Sequence, residues 1–275
     1  MIDLHCNCRG EGPLVLAALG ANLLAFAAMG AAALRGGRWP RVLGAAAFAV
    51  AAAAAGAAVA VRWVIVGHVP LQNLYEVFLF LGPATALISL LCTRLGRIGG
   101  AAWDAILAAA VLFPVAFVFD PAPRPLPAAL RTYLFAPHVA AYMLGYVLAA
   151  KAGVQAIAHL AGLRDDAGRM AHEPAAHRLV TLSLPLLTLG LALGCLWGKR
   201  AWGDWWNWDP KELWSLATWL IYVGYMHFRH ITGARLGRLN AVLVLLGLAA
   251  VLLTLLWVNL SRLFPGLHTY AASIA

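Results

Sequence analysis

The stretch W-G-K-R-A-W-G-D-W-W-N-W-D-P-K-E-L-W-S-L-A-T-W, Trp197 to Trp219, decides how the rest of the chain is read. Seven of the protein's 11 tryptophans fall in it, and the sequence on either side is aliphatic. Flat, amphipathic rings between two apolar helices indicate a platform at a membrane surface. An ordinary aromatic belt is spread over many helices; this cluster sits in one place. Within it, Asp209-Pro210-Lys211-Glu212 reads as a helix start, with Asp at the N-cap, Pro at the first helical position and Glu at the third.

Working outward, the composition fits that membrane reading. The chain has 275 residues, of which 63% are hydrophobic and only 11% charged, and its mean hydropathy is +0.81. A membrane helix needs about 20 mostly apolar residues, so the chain has room for about eight. Backbone polar groups must be satisfied inside lipid. The fold class is therefore an all-α polytopic membrane protein. Residues 1–275 form a single transmembrane domain by this reading, with no stretch long enough for a soluble one. The net charge of +9 does not imply nucleic acid, because the basic residues sit mainly in short loops, where topology explains them. Cys6 and Cys8 lie in a polar N-terminus, and Cys92 and Cys195 in apolar runs where they pack. No C-x-x-C-H occurs, so the chain carries no covalent c-type haem of its own.

Eight helices are expected at about 14–34, 42–64, 74–93, 103–119, 137–160, 179–197, 210–228 and 239–260. The first run is too long for a signal-peptide core and lacks a basic leader. Helix 2 is Ala-rich, with Gly44 and Gly56 allowing close packing. The loops after helices 1, 3, 5 and 7 hold eleven Arg between them, against eight basic residues in the opposite loops and termini. The positive-inside rule then puts both termini, His68, His138, the Trp-rich loop (197–212) and His268 on the outside face.

Histidine is scarce in membrane helices, because a polar ring there needs a partner. For His5, His159, His172, His177 and His230 a hydrogen-bonded interfacial role suffices. His138 and His268 differ: each stands beside Pro or Gly at a membrane boundary, on the face of the Trp loop. Two neutral imidazoles across an aromatic slot suit bis-His haem iron. Tryptophan N–H groups, and Lys199, Arg200 and Lys211, are placed to meet propionates. From Asp209 to His227 is about 27 Å along a helix, so His227 marks a second candidate site at the far side of the membrane. Asp209 and Glu212 are explained by the helix start, and Glu76 as a local hydrogen-bond partner.

Trp202-Gly203-Asp204-Trp205-Trp206-Asn207-Trp208-Asp209 resembles the W-G-x-x-W-x-W-D signature of the tryptophan-rich (WWD) haem-handling superfamily. Pro210 to Leu216, Tyr225-Met226-His227, Gly266 to Ala271, Gly67 to Glu76 and Pro137-His138-Val139 are similar to the CcsA (ResC) family of system II cytochrome c biogenesis. The resemblance covers about residues 62–271, and the chain before that range matches only as hydrophobic helices.

The resemblance implies a subunit of a bacterial plasma-membrane protein pair, working with a CcsB (ResB) partner. The pair moves haem b, held transiently and without a covalent bond, to the extracytoplasmic face and attaches it to C-x-x-C-H apocytochromes, as a cytochrome c synthase. His138 and His268 are then the external haem ligands, with Trp202, Gly203, Trp206, Trp208 and Asp209 forming the rest of that site. His227 is the membrane ligand, with His230 the other candidate, and its opposite ligand comes from the partner. Ligation calls for positioning more than acid–base catalysis, so no separate catalytic residue is expected. A haem-delivery protein without ligation is the alternative, though P-K-E-L-W-S-L after W-D favours the ligase branch. A b-type electron-transfer subunit needs stacked His pairs, whereas His138 and His227 lie at opposite depths. A solute transporter leaves the Trp loop unexplained.

Overall fold

The computed structural model describes residues 10–163 and 168–258. These form eight α-helices and, among the described residues, no strand. They are α1 (Gly12–Arg35), α2 (Arg38–Val66), α3 (Leu74–Arg94), α4 (Ala101–Phe117), α5 (Phe135–Leu160), α6 (His172–Trp202), α7 (Pro210–Thr232) and α8 (Gly237–Leu252). A π-helical turn, Leu253–Trp257, extends α8. Among the described residues, six segments are long and apolar enough to cross a membrane, counting Pro210–Trp257 as one run that contains α7 and α8. The chain is an all-α polytopic membrane protein. α4 is apolar but has only 17 residues.

The helices group into two compact units. The first holds α1 to α4 and the residues up to Leu126. Here α2 buries Gly44, Ala47, Ala51, Ala55, Ala58 and Arg62, one residue every turn. This small-residue stripe lets backbones approach in the absence of a hydrophobic drive between helices. A Cβ on Gly44 would lie 3.3 Å from the Ala25 carbonyl of α1. Gly56, expected to serve the same purpose, has nothing within 4 Å of where its Cβ would stand, so it makes no such contact. Asn73 caps α3 by accepting from the Glu76 amide (3.0 Å).

Arg62 falls within the expected second helix, near its end, and is 1% exposed in the fold. Its guanidinium donates to Glu76 Oε1 through Nε (3.2 Å) and Nη2 (3.0 Å), and to Glu11 Oε1 through Nη1 (3.1 Å). Nη1 also meets the Pro121 carbonyl (2.5 Å), and Tyr75 donates to Glu11 (3.1 Å). Glu76 is the local partner expected of it, accepting from the Gln72 amide (2.9 Å). Its main partner, however, is Arg62 on the preceding helix.

The second unit holds α5 to α8 with Arg97–Gly99. α5 and α6 pack through small residues: Ser183 donates to the Gly145 carbonyl (2.8 Å), and a Cβ on Gly145 would collide with Leu187. α6 starts at His172, ahead of the expected start at 179, because its polar first turns have partners on α7 and α8. Glu173 accepts from Arg229 Nε (2.7 Å) and Nη2 (3.1 Å) and from Asn240 Nδ2 (2.8 Å). Arg178 and Arg229 are helical rather than loop residues. At the other end α6 runs to Trp202, so the expected 197–212 loop contracts to 203–209.

Candidate haem-handling site

The site is built where the end of α6, the start of α5 and the start of α7 meet. Gly203 stops α6 at φ +91°, a left-handed value that glycine adopts freely. Lys199 donates to the Gly203 carbonyl (2.5 Å), and Arg200 lies over the Tyr133 ring at 4.8 Å. Two of the three cations expected to face an anion, Lys199 and Arg200, are thus partly used within the chain. α7 begins as expected. Asp209 accepts from the Lys211 amide (2.8 Å), and Glu212 reaches back to the Asp209 amide (3.3 Å) in a capping box.

His138 lies in the first turn of α5, its amide bonded to the Leu134 carbonyl (3.0 Å). Its Nδ1 donates to the Gly190 carbonyl of α6 at 2.9 Å. A ring N–H given to a carbonyl selects the tautomer whose lone pair is on Nε2, the arrangement usual for an imidazole that binds a metal. The ring fits because residue 194 is glycine: a Cβ there would stand 2.8 Å from His138 Cε1. One turn earlier, a Cβ on Gly190 would stand 2.8 Å from the Tyr142 ring. Trp197 lies 5.6 Å from His138, Trp202 4.9 Å from Trp197, and Tyr142 5.2 Å from His138, all between ring centroids. Trp197 is fixed by its own N–H, which donates to the Ala129 carbonyl (2.8 Å). Tyr142 bonds Ser215 of α7, which ties all three helices to this end.

The structure therefore joins His138 and Trp202 through Trp197. Trp206, Trp208 and Asp209 form a second group: Trp206 and Trp208 meet edge to face at 6.1 Å. Trp206 Nε1 and Asn207 Nδ2 are buried with no hydrogen-bond partner among the described residues. Such donors are normally matched, so this loop has hydrogen-bonding capacity to spare.

His268 lies outside the described residues. His227 is on α7, exposed, on the face away from Ser215, Thr218, Tyr222 and Tyr225, the buried positions of that helix. His177 of α6 is at the same level, with Nδ1 3.2 Å from the Tyr225 hydroxyl. It meets Tyr225 on the buried face of α7, whereas His227 is on the exposed face. His230 is exposed as well.

Sequence reasoning named the histidine and the tryptophans but missed the glycines that seat them. The signal was present: Gly190, Gly194 and Gly198 recur at every fourth residue, the small-residue pattern of close helix packing.

The family model described as "Cytochrome C assembly protein" matches residues 71–265. Among curated proteins, "Cytochrome c biogenesis protein CcsA" of Synechococcus sp. (strain RCC307) is 31% identical, over 76% of this chain and 78% of that one. The protein of the same name from Synechococcus elongatus is 29% identical, over 83% and 87%. That from Chlamydomonas reinhardtii is 32% identical, over 76% and 63%. Among solved structures, "Cytochrome c Heme Lyase CcmF" shares the fold, with a TM-score of 0.69 and 22% identity over 89% of this chain. The chain spans 46% of that structure's length. With most of its length inside the family model and its spans long enough to cross a bilayer, the chain belongs to the cytochrome c assembly protein family, as a multi-pass membrane member of its CcsA group.

Proposed function

We propose that this chain carries haem b, as transient non-covalent cargo, to the outer face of a bacterial plasma membrane. There it presents the haem for covalent attachment to apocytochromes bearing C-x-x-C-H, with a CcsB-like membrane subunit as partner. The pair is then a cytochrome c synthase in which this chain supplies the haem platform. The observation that carries the reading is His138. Its Nδ1–H is given to Gly190, its ring sits in the notch left by Gly194, and Trp197 stands beside it with Trp202 packed on Trp197.

The residues suit a porphyrin. A second imidazole, His268, completes the axial pair. Indole rings cover an aromatic macrocycle at small entropic cost, and the spare donors of Trp206 and Asn207 match propionate oxygens. The reaction asks little acid–base chemistry of the protein. A cysteine thiol adds across a haem vinyl group: the carbon–sulfur bond forms, and the thiol hydrogen passes to the neighbouring vinyl carbon. The protein's share is to hold the haem edge toward the apocytochrome and to keep one axial position exchangeable, which is a positioning task. The substrate's own histidine displaces His138 or His268 on release.

His227 serves as the earlier, membrane-level ligand. An imidazole exposed on an apolar helix face is costly in lipid unless something covers it. Its orientation away from its own bundle accords with an opposite ligand from the partner subunit.

The test is the absorption spectrum of the purified chain, with and without a CcsB-like subunit. Co-purifying low-spin haem is expected in the complex; a colourless complex from a haem-replete host overturns the proposal. A second prediction isolates the seat of His138. Gly194→Ala places a methyl 2.8 Å from the ring, an overpacking that costs about 1–3 kcal/mol. The ring must leave Gly190, so retained outer-site haem falls while the protein stays folded, measured as haem per protein after gel filtration. Unchanged occupancy shows that the notch does not seat His138.

A further inference from the structure

Trp208 has φ +58°, one of two such non-glycine residues among those described. An L-residue with a bulky side chain is disfavoured there, and such a conformation persists only where neighbouring bonds impose it. The two amides that flank it are both held by one atom. Glu212 Oε2 accepts from the Asn207 amide at 2.8 Å and from the Asp209 amide at 3.3 Å. The longer bond belongs to the capping box. The shorter one reaches further back along the loop, to Asn207, where a helix cap has no use for it. Glu212 therefore grips the loop more closely than it caps the helix. Between the gripped amides the indole of Trp208 is turned out, 68% exposed, edge to face with Trp206.

From this geometry we infer that Glu212 is a positioning residue: it locks Trp208 in the left-handed conformation and so aims its indole at the outer platform. A glycine or asparagine would meet the backbone demand at position 208 without strain. A tryptophan there requires the clamp, and the clamp has a purpose only if the indole is needed outside. The inference rests on the outer-site reading for what the indole faces, whereas the clamp itself is a property of this chain alone.

The experiment uses the full chain in nanodiscs and two independent signals. The first is near-ultraviolet circular dichroism of the tryptophans, which senses the Trp206–Trp208 pair without any haem. Glu212→Ala is expected to lose part of this signal while far-ultraviolet helix content is kept, because Asp209 still accepts from Lys211. Glu212→Gln retains an oxygen able to take both amides and is expected to keep it. In a Trp208→Gly background, Glu212→Ala should change little further, a non-additivity that marks a direct coupling. An unchanged near-ultraviolet spectrum in Glu212→Ala, or full additivity with Trp208→Gly, overturns the clamp. Should Glu212→Ala fail to fold, Glu212→Gln and Trp208→Gly decide: a Glu212→Gln spectrum like that of Trp208→Gly rather than wild type overturns it too. The second signal is haem affinity at the outer site, expected to fall about tenfold in Glu212→Ala and to recover in Glu212→Gln. A lost near-ultraviolet signal with unaltered haem binding leaves the clamp standing and removes the platform reading instead.

Discussion

His138→Ala is expected to abolish cytochrome c assembly in a strain that depends on this chain, while the protein still accumulates in the membrane. The ring contributes little to the fold itself. Its Nδ1 donates to the Gly190 carbonyl at 2.9 Å, and it fills a slot beside Gly194 on α6. Truncation leaves the α5–α6 packing at Gly145, Leu187 and Ser183 in place. The structural loss is thus on the order of 1–2 kcal/mol, a neutral hydrogen bond plus modest burial. The functional loss is total if the imidazole is an axial ligand, because no other described histidine stands beside Trp197. Imidazole added to the growth medium should partly restore assembly by entering the slot. Wild-type levels of holocytochrome in His138→Ala would remove the residue from the site.

The second large effect is on stability. Arg62→Ala strands two carboxylates, Glu76 and Glu11, each at most 5% exposed. Removing one partner of a buried ion pair costs about 3–5 kcal/mol, and the Tyr75 ring contact, 4.9 Å from the guanidinium, is lost as well. The unfolding midpoint in detergent should drop by on the order of 10 °C. Arg62→Lys should recover little, since a point charge cannot reproduce the two-pronged contact with Glu76. Arg62→Met with Glu76→Gln should do better than Arg62→Ala, because it leaves one stranded carboxylate instead of two. A midpoint for Arg62→Ala within a degree or two of wild type would mean that the network contributes nothing net.

These two residues also show where the sequence was legible. The helices could be read from their hydropathy, and the start of α7 from four residues, because Asp-Pro-x-Glu expresses a local hydrogen-bond pattern that needs no tertiary partner. The ends of α6 could not. His172 to Arg178 looks like a polar loop, yet it is helical because Glu173 finds Arg229 and Asn240 on elements far along the chain. Lys199 and Arg200 resemble the edge of a membrane span, yet the helix continues to Gly203, whose left-handed backbone ends it. Arg62 stands near the end of an apolar run, and its burial depends on Glu11 and Glu76, partners that the hydropathy of that run does not show.

The site divides in the same manner. His138 and the tryptophans stand out because their residue types are rare in a membrane helix. Gly190 and Gly194 do not, because a glycine shows its meaning only when the opposing ring is known. The shorter bond of Glu212 was hidden behind its capping role, since both uses begin from the same sequence signature. His268 is named by the resemblance and lies outside the described residues.

That His138 holds haem iron through Nε2 at the outer face is tested most directly by resonance Raman and electron paramagnetic resonance. The sample is the purified chain with its partner subunit, in wild type and in His138→Ala. Wild type is expected to hold a six-coordinate, low-spin bis-imidazole haem. In His138→Ala this converts to a five-coordinate form whose sixth ligand returns when imidazole is added. Identical spectra in the two proteins, with full haem content in both, would contradict it.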